Sequence, residues 1–343
     1  MEAPSGDPIS RSIRRYIQTV AVDRGAFPPA EGRRVDWHEL PASVRAGIEG
    51  RLDAEVVSAT TRPAGFSPGL AARLETAAGD RLFVKAVSAD TNPISPQLHR
   101  REAHVASLLP ADAPAPRFRW WFELGPWVVL GFDYVEGANP ELPWRRPDLD
   151  RVLDALSELA RTLTPSPAEL ETVGERLGTT LLGWRDLAVH QDDLARIPPL
   201  WQRRLDELVE LEAHWPIAAA GDTLVHLDIR ADNILLTDAG VMFVDWPFAA
   251  IGAPWLDLVA MLPSVAMQGG PDPGEVWRGH PLSSGVDRDA VDAFLAGLAG
   301  MFTRQSLLPP SPGVETVRRF QSAQGHTARA WLARRRGWAD VLP

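Results

Sequence analysis

The sequence predicts an α+β protein of two lobes: a small N-terminal lobe of antiparallel β-strands with a helix, and a larger, mainly helical C-terminal lobe. Three observations predict it. Strand-like runs of β-branched and aromatic residues are concentrated between positions 55 and 135. The segment D-Y-V-E-G-A-N-P (133–140) then interrupts them. Beyond it apolar residues recur at helical spacing, as in Leu149, Leu153, Leu156, Leu159, Ala160 and Leu163. A chain of 343 residues is also too long for one simple core and suits two packed lobes.

Residues 1–34 are polar and rich in Pro, Gly and Arg, with one short possible helix at 13–22, and read as an N-terminal extension. Residues 35–132 form the small lobe. It opens with an amphipathic helix, marked by Leu40, Val44, Ile48 and Leu52 at four-residue intervals. The strands A-E-V-V-S-A-T and L-A-A-R-L-E-T flank the loop R-P-A-G-F-S-P-G, and the turn A-A-G-D leads into the strand R-L-F-V-K-A-V. Residues 97–109 return to helix, with Ala103, Ala106 and Leu109 on one side. F-R-W-W-F-E-L and W-V-V-L-G-F-D-Y-V then form a hairpin around G-P. Residues 133–140 are the hinge or linker, and 141–343 the helical lobe, with helices near 149–163, 167–178, 198–214, 254–266, 286–303 and 314–336. Short strands interrupt that lobe in T-L-V-H-L-D, N-I-L-L-T and V-M-F-V-D-W, the last two joined by D-A-G.

Composition narrows the function. The absence of cysteine excludes disulfides, zinc–thiolate sites and cysteine nucleophiles. No secretory signal pattern opens the chain and no apolar run reaches the roughly 18 residues of a membrane span, so a cytoplasmic protein with no membrane partner is expected. A net charge of −10 disfavours nucleic acid as a partner and is compatible with a cationic ligand. The thirteen tryptophans are expected mainly in the core, with a few lining a pocket. Lys85 is the single lysine beside thirty-four arginines. Lysine is a compact point charge and arginine a broad planar fork, so this is either a position where arginine does not serve or a surface lysine that escaped the drift toward arginine by chance.

The most informative stretch is H-L-D-I-R-A-D-N-I-L-L-T-D-A-G-V-M-F-V-D-W, in which His226, Asp228, Asn233 and Asp245 form H-x-D-x-x-x-x-N followed by a strand-end Asp. Asp and Asn are common in turns, but here each type also has a use in phosphoryl transfer, where positioning and charge neutralisation do most of the catalysis. Asn233 and Asp245 offer the few hard oxygens that Mg²⁺ takes from a protein. Asp228 suits accepting or orienting the proton of an attacking hydroxyl. His226 suits buttressing the loop by hydrogen bonding.

From about residue 56 to 338, and most specifically over 225–257, the chain resembles the aminoglycoside phosphotransferase/choline kinase-type family of the protein-kinase-like superfamily. The resemblance implies a bilobal protein-kinase-like fold and the cofactors ATP and Mg²⁺. It implies that Lys85 binds nucleotide phosphates and pairs with Glu102, that Asp228 is the catalytic Asp, that Asn233 and Asp245 are metal ligands, and that Asp257 braces the catalytic loop.

The chain departs from the protein-kinase pattern in several places. G-F-S-P-G (65–69) lacks G-x-G-x-x-G, so Gly65, Ser67 and Gly69 fit either a phosphate-covering loop or a plain hairpin turn. Asp245-Trp246-Pro247 stands where protein kinases have Asp-Phe-Gly. The eleven residues between Asp245 and Asp257 leave no room for an activation loop, which disfavours a protein substrate. Arg230 is expected either to approach the transferring phosphate or to bridge to Asp232. Residues 132–135, with Phe132 and Tyr134, read either as an adenine-binding hinge or as a connecting strand. The expected activity is an ATP- and Mg²⁺-dependent transfer of the γ-phosphate to a hydroxyl of a small molecule, an aminoglycoside-like antibiotic or a related metabolite, with antibiotic resistance as the associated role. The alternatives are a metabolic kinase of the choline, homoserine or sugar type, and a nucleotide-binding pseudokinase. Trp184, Asp186, Asp192 and Asp193 are candidates for the acceptor site.

Overall fold

The computed structural model describes residues 28–338, apart from Glu31, Pro63 and Ala64; the possible helix at 13–22 lies outside the described residues. Five strands form the sheet of the small lobe: β1 (Val56–Thr61), β2 (Leu70–Thr76), β3 (Arg81–Ser88), β4 (Phe118–Leu124) and β5 (Trp127–Asp133). They are antiparallel throughout, in spatial order β1-β2-β3-β5-β4. Side chains alternate across a strand, so β3 sends Val84 and Ala86 to one face of the sheet and Phe83 and Val87 to the other. Helix α1 (Ala42–Leu52) covers the first face with Val44 and Ile48, joined by Trp37 and Leu40. Helix α2 (Ser95–Leu108) covers the second with Ala103 and Ala106. The same alternation places Lys85 under α2, the helix that carries Glu102. Asn92 fixes where α2 begins, its Oδ1 accepting from the amides of Ile94 (3.0 Å) and Ser95 (3.1 Å).

The large lobe contains α3 (Arg146–Thr162), α4 (Val173–Leu177), α5 (Gly183–Val189), α6 (Gln191–Leu194), α7 (Pro199–Gln202) and α8 (Leu205–Ala213). These are followed by α9 (Trp215–Ala218), α10 (Leu256–Met267), α11 (Pro273–Gly279), α12 (Arg288–Ser306) and α13 (Val317–Arg336). Two small antiparallel pairs sit among them: β6 (Thr223–Val225) with β9 (Ala250–Gly252), and β7 (Ile234–Thr237) with β8 (Gly240–Phe243).

Several boundaries differ from the sequence reading for identifiable reasons. The expected helix at 167–178 is only α4, because Thr172 and Glu175 form a reciprocal capping box that starts it at Val173. The expected helix at 198–214 is divided into α7 and α8. Asp245 lies past the end of β8 rather than within it. Ten of the thirteen tryptophans are buried, and among those lining the site only Trp246 reaches a cavity, so space-filling is their main work. The linker is stitched to the large lobe: the amide of Leu236 donates to the Ala138 carbonyl (2.8 Å), and Asn139 Nδ2 donates to that of Ile234 (2.8 Å). No helix among the described residues is long and apolar enough to cross a membrane.

Candidate active site

Lys85 lies where two lobes meet. Its Nζ donates to Glu102 Oε1 at 2.6 Å and to Asp245 Oδ1 at 2.8 Å, with 14% of the side chain exposed. Burial opposes the ammonium, but the two carboxylates outweigh it and raise its pKa. One cation serving two carboxylates leaves them unequal. Burial and the neighbouring Asp245 charge push Glu102 up to about 7, against the pull of Lys85. Asp245 resists burial through Lys85 and is held well below the usual carboxylate range. The sequence's pairing of Lys85 with Glu102 is therefore present, seventeen residues apart.

The loop that carries Asp228 is held through its backbone. Asp257, in the first turn of α10, accepts from the amides of His226 (2.9 Å) and Leu227 (2.6 Å). Burial lifts its carboxyl to about 6 against those two bonds. Burial also lowers His226 to about 4 and keeps the ring neutral. Its Nδ1 accepts from the Asp228 amide (3.2 Å) while Nε2 donates to the Val244 carbonyl (3.0 Å). Leu227 (φ 64°) and Asp245 (φ 71°) are both left-handed, a costly conformation for residues with a side chain. The hydrogen bonds of Asp257 and Lys85 hold them there, which aims Asp228 and Asp245 toward one another's side of the cleft.

Asp228 accepts from Arg230 through Oδ1 and from Asn233 Nδ2 (3.1 Å) through Oδ2. Burial raises its carboxyl to about 7 in spite of Arg230. Arg230 also forks onto Asp232, with Nε at 3.1 Å and Nη2 at 2.9 Å, and lies 5.4 Å and 5.8 Å from the Phe66 and Phe320 ring centres. Its charge is thus divided between two carboxylates, the bridged alternative of the sequence reading. Asn233 Nδ2 also donates to the Asp228 carbonyl (2.8 Å), leaving Oδ1 as the outward oxygen of that amide.

Two cavities open on this cluster. The first, about 1120 Å³ of empty space including its open mouth, is lined by Lys85, Asn233 and residues 132 to 135, with Phe132 and Tyr134 among them. The second, about 1640 Å³ on the same measure, is lined by Asp228 and Arg230. Phe66, Ser67, His99, Glu102 and Asp245 form their common wall. Asn233 Oδ1 and the remaining oxygen of Asp245 fit Mg²⁺, which takes few protein oxygens and completes its shell with phosphates and water. In keeping with so sparse a set, no group of three His, Cys, Asp or Glu side chains among the described residues forms a cage for a metal.

The loop at 65–69 differs from a phosphate cradle. The Gly65 amide donates to Ala30 O (2.8 Å) and that of Gly69 to Arg33 O (3.0 Å), so neither is directed at a ligand. Both glycines have positive φ, 102° and 148°, and a Cβ on Gly69 would lie 2.2 Å from the Ala86 carbonyl oxygen. Residues assigned to the extension by sequence therefore run along this loop. Arg34, which sequence reasoning missed, donates to Gly65 O (3.3 Å) and lies in the first cavity with Lys85 and Asp245. Burial lowers its pKa, while Asp245 and Asp232 pull it back. His99 was missed as well; it is buried on the common wall, kept neutral by burial at about 4, with Nδ1 3.1 Å from the Ser95 carbonyl.

The acceptor candidates are placed elsewhere, and this corrects the sequence reading. Trp184 is fully buried, donating from Nε1 to the Ala296 carbonyl (2.9 Å). Asp186 pairs with Arg304 and His190, and Asp193 with Arg196 (2.8 Å) and Arg304 (3.1 Å). Neither these three nor Asp192 line either cavity.

The model of the phosphotransferase enzyme family (APH) matches residues 59–298. The thiamine kinase of Salmonella paratyphi B is 39% identical over 69 residues, which are 20% of this chain and 24% of that protein. The chain thus matches about a quarter of the length of this curated relative. Among solved structures, a thermostable mutant of aminoglycoside phosphotransferase APH(4)-Ia in ternary complex with ADP and hygromycin B is similar at a TM-score of 0.55 and 12% identity, over 85% of this chain and 98% of that one. A choline/ethanolamine kinase family protein from Mesorhizobium loti is similar at 0.50 and 15% identity, over 85% and 94%. At these identities the likeness is one of fold.

Proposed function

This chain belongs to the phosphotransferase enzyme family, and from that premise we propose that it is an ATP- and Mg²⁺-dependent kinase that moves the γ-phosphate to a hydroxyl of a small molecule. The observation that carries the reading is the division of labour between the cavities: Lys85 and Asn233 line one, Asp228 lines the other, and Asp245 stands in their shared wall. ATP enters the first, with adenine toward residues 132–135 and phosphates toward Lys85 and Arg34. Asn233 and Asp245 would hold Mg²⁺, which would offset the charge of the phosphates during transfer. The acceptor hydroxyl enters from the second cavity. Its proton passes to Asp228 as its oxygen bonds to the γ-phosphorus, the bond to the β,γ-bridging oxygen breaks, and ADP leaves. Asp228 then returns the proton to solvent. A carboxyl raised toward neutrality is well matched to this exchange.

The stretch between Asp245 and Asp257 contains β9, paired with β6, in place of an activation segment, which favours a small acceptor over a protein. A coupled ADP-release assay over hydroxylated compounds tests the proposal. Acceptor-dependent ADP formation that stops on addition of EDTA is expected, and formation indifferent to chelation would contradict the metal assignment.

Two further outcomes follow. Arg34→Ala should raise KM for ATP about 10-fold through loss of a charge-assisted phosphate contact, and an unchanged KM would confine Arg34 to loop support. Arg230→Ala removes the cation that lowers the Asp228 pKa, so the acid limb of the pH–rate profile should move to higher pH. A limb that stays in place would detach Arg230 from Asp228.

A further inference from the structure

We infer that the acceptor is an uncharged, predominantly apolar alcohol and not a polycation; the inference rests on the phosphotransferase reading above and names the substrate class of its second cavity.

The character follows from the walls. Leu98, Phe248, Leu298, Met301, Phe302 and Val317, brought together from α2, α12, α13 and the loop after Asp245, present apolar surface. The carboxylates that line the cavity are Asp228, Glu102 and Asp245, and each is already bound by Arg230 or Lys85. The ammonium groups of an amino sugar would therefore compete with Lys85 and Arg230 for every carboxylate of the lining, and burying such groups without a carboxylate of their own is strongly unfavourable.

The polar part of the wall has the opposite polarity. Arg318 Nη1 donates to Gln321 Oε1 (2.9 Å), and Gln321 Nε2 donates in turn to Gln305 Oε1 (2.6 Å). Each amide oxygen thereby accepts a bond within the wall, and Arg318 brings a positive charge to the lining. That surface fits carbonyl, ether and hydroxyl oxygens and repels cations. The acidic groups behind the chain's net charge of −10 are not gathered here; Asp186 and Asp193, for example, are neutralised by Arg304 outside the cavity.

The test is phosphate transfer from ATP to a panel of testosterone, geraniol and n-octyl β-D-glucoside as neutral alcohols, and gentamicin and hygromycin B as polycations. The best neutral compound is expected to exceed gentamicin in kcat/KM by at least about 100-fold. A polycation that equals or outperforms every neutral compound overturns the inference, as does failure to phosphorylate any neutral one. Met301→Glu, at a half-buried position on the wall, supplies the missing carboxylate. It should lower kcat/KM for the neutral acceptor about 10-fold or more and move gentamicin the other way; movement of both in the same direction again overturns it. Acceptor-free ATP hydrolysis, measured beside its Asp228→Asn control, separates the two levels. Hydrolysis that depends on Asp228 together with preference for a polycation defeats the substrate class alone, whereas absence of both hydrolysis and transfer defeats the kinase reading as well.

Discussion

Replacing Asp228 by asparagine is expected to lower turnover by roughly 10²–10⁴ while nucleotide affinity stays within a few-fold. The substitution keeps the shape of the side chain and one oxygen to accept from Arg230 or Asn233, so the loop remains braced by Asp257 and His226. What it removes is the proton acceptor beside the acceptor hydroxyl. Affinity for ATP should survive because Asp228 lines the second cavity and not the first. Steady-state ADP release paired with calorimetric nucleotide titration measures both quantities. Full turnover in the variant would remove Asp228 from the chemistry.

The second large effect belongs to Lys85. Lys85→Met leaves Glu102 and Asp245 without their shared cation in a buried site, and loss of one partner from such a cluster costs about 3–5 kcal/mol. The deficit should depend on pH. Glu102 is already pushed up to about 7 with Lys85 present, and without the ammonium its pKa rises further, so lowering the pH lets it protonate and the deficit shrinks. Denaturant titrations of the variant and the native chain at pH 8 and pH 6 test this, and an equal deficit at both would contradict the assigned charge state. Lys85→Arg probes geometry instead. The Nζ position is enclosed at 2.6 and 2.8 Å by two carboxylates, and the planar fork of arginine has no room to keep both contacts and a phosphate. ATP turnover should fall by about 10-fold or more, and normal turnover would make the lone lysine an accident of composition.

Local patterns made much of the site legible. R-L-F-V-K-A-V read as the strand that carries Lys85, and H-x-D-x-x-x-x-N marked the loop between β6 and β7. Other features left no local trace. The left-handed backbone at Leu227 and Asp245 is imposed by partners thirty and one hundred and sixty residues away. Arg34 reaches the first cavity from a stretch whose composition resembles a tail. Asp186 and Asp193 read as acceptor-site candidates because Arg304, their partner, lies more than a hundred residues downstream. The second cavity was the least readable part, since its wall is assembled from residues between Phe66 and Gln324 that share no motif. Backbone pairing of Gly65 and Gly69 with Ala30 and Arg33 likewise depends on contacts no glycine pattern encodes.

The most direct measurement follows the γ-phosphorus itself. ATP labelled at that position is incubated with Mg²⁺, the whole acceptor panel of neutral alcohols and polycations, and either the native chain or Asp228→Asn, and the label is traced. Phosphoryl transfer across the shared wall at Asp245 predicts that the native chain moves the label into a low-molecular-weight phosphate ester and that the variant loses at least about 99% of this transfer. Label that stays on ATP, or that ends on protein, or that moves equally well in the variant, contradicts it.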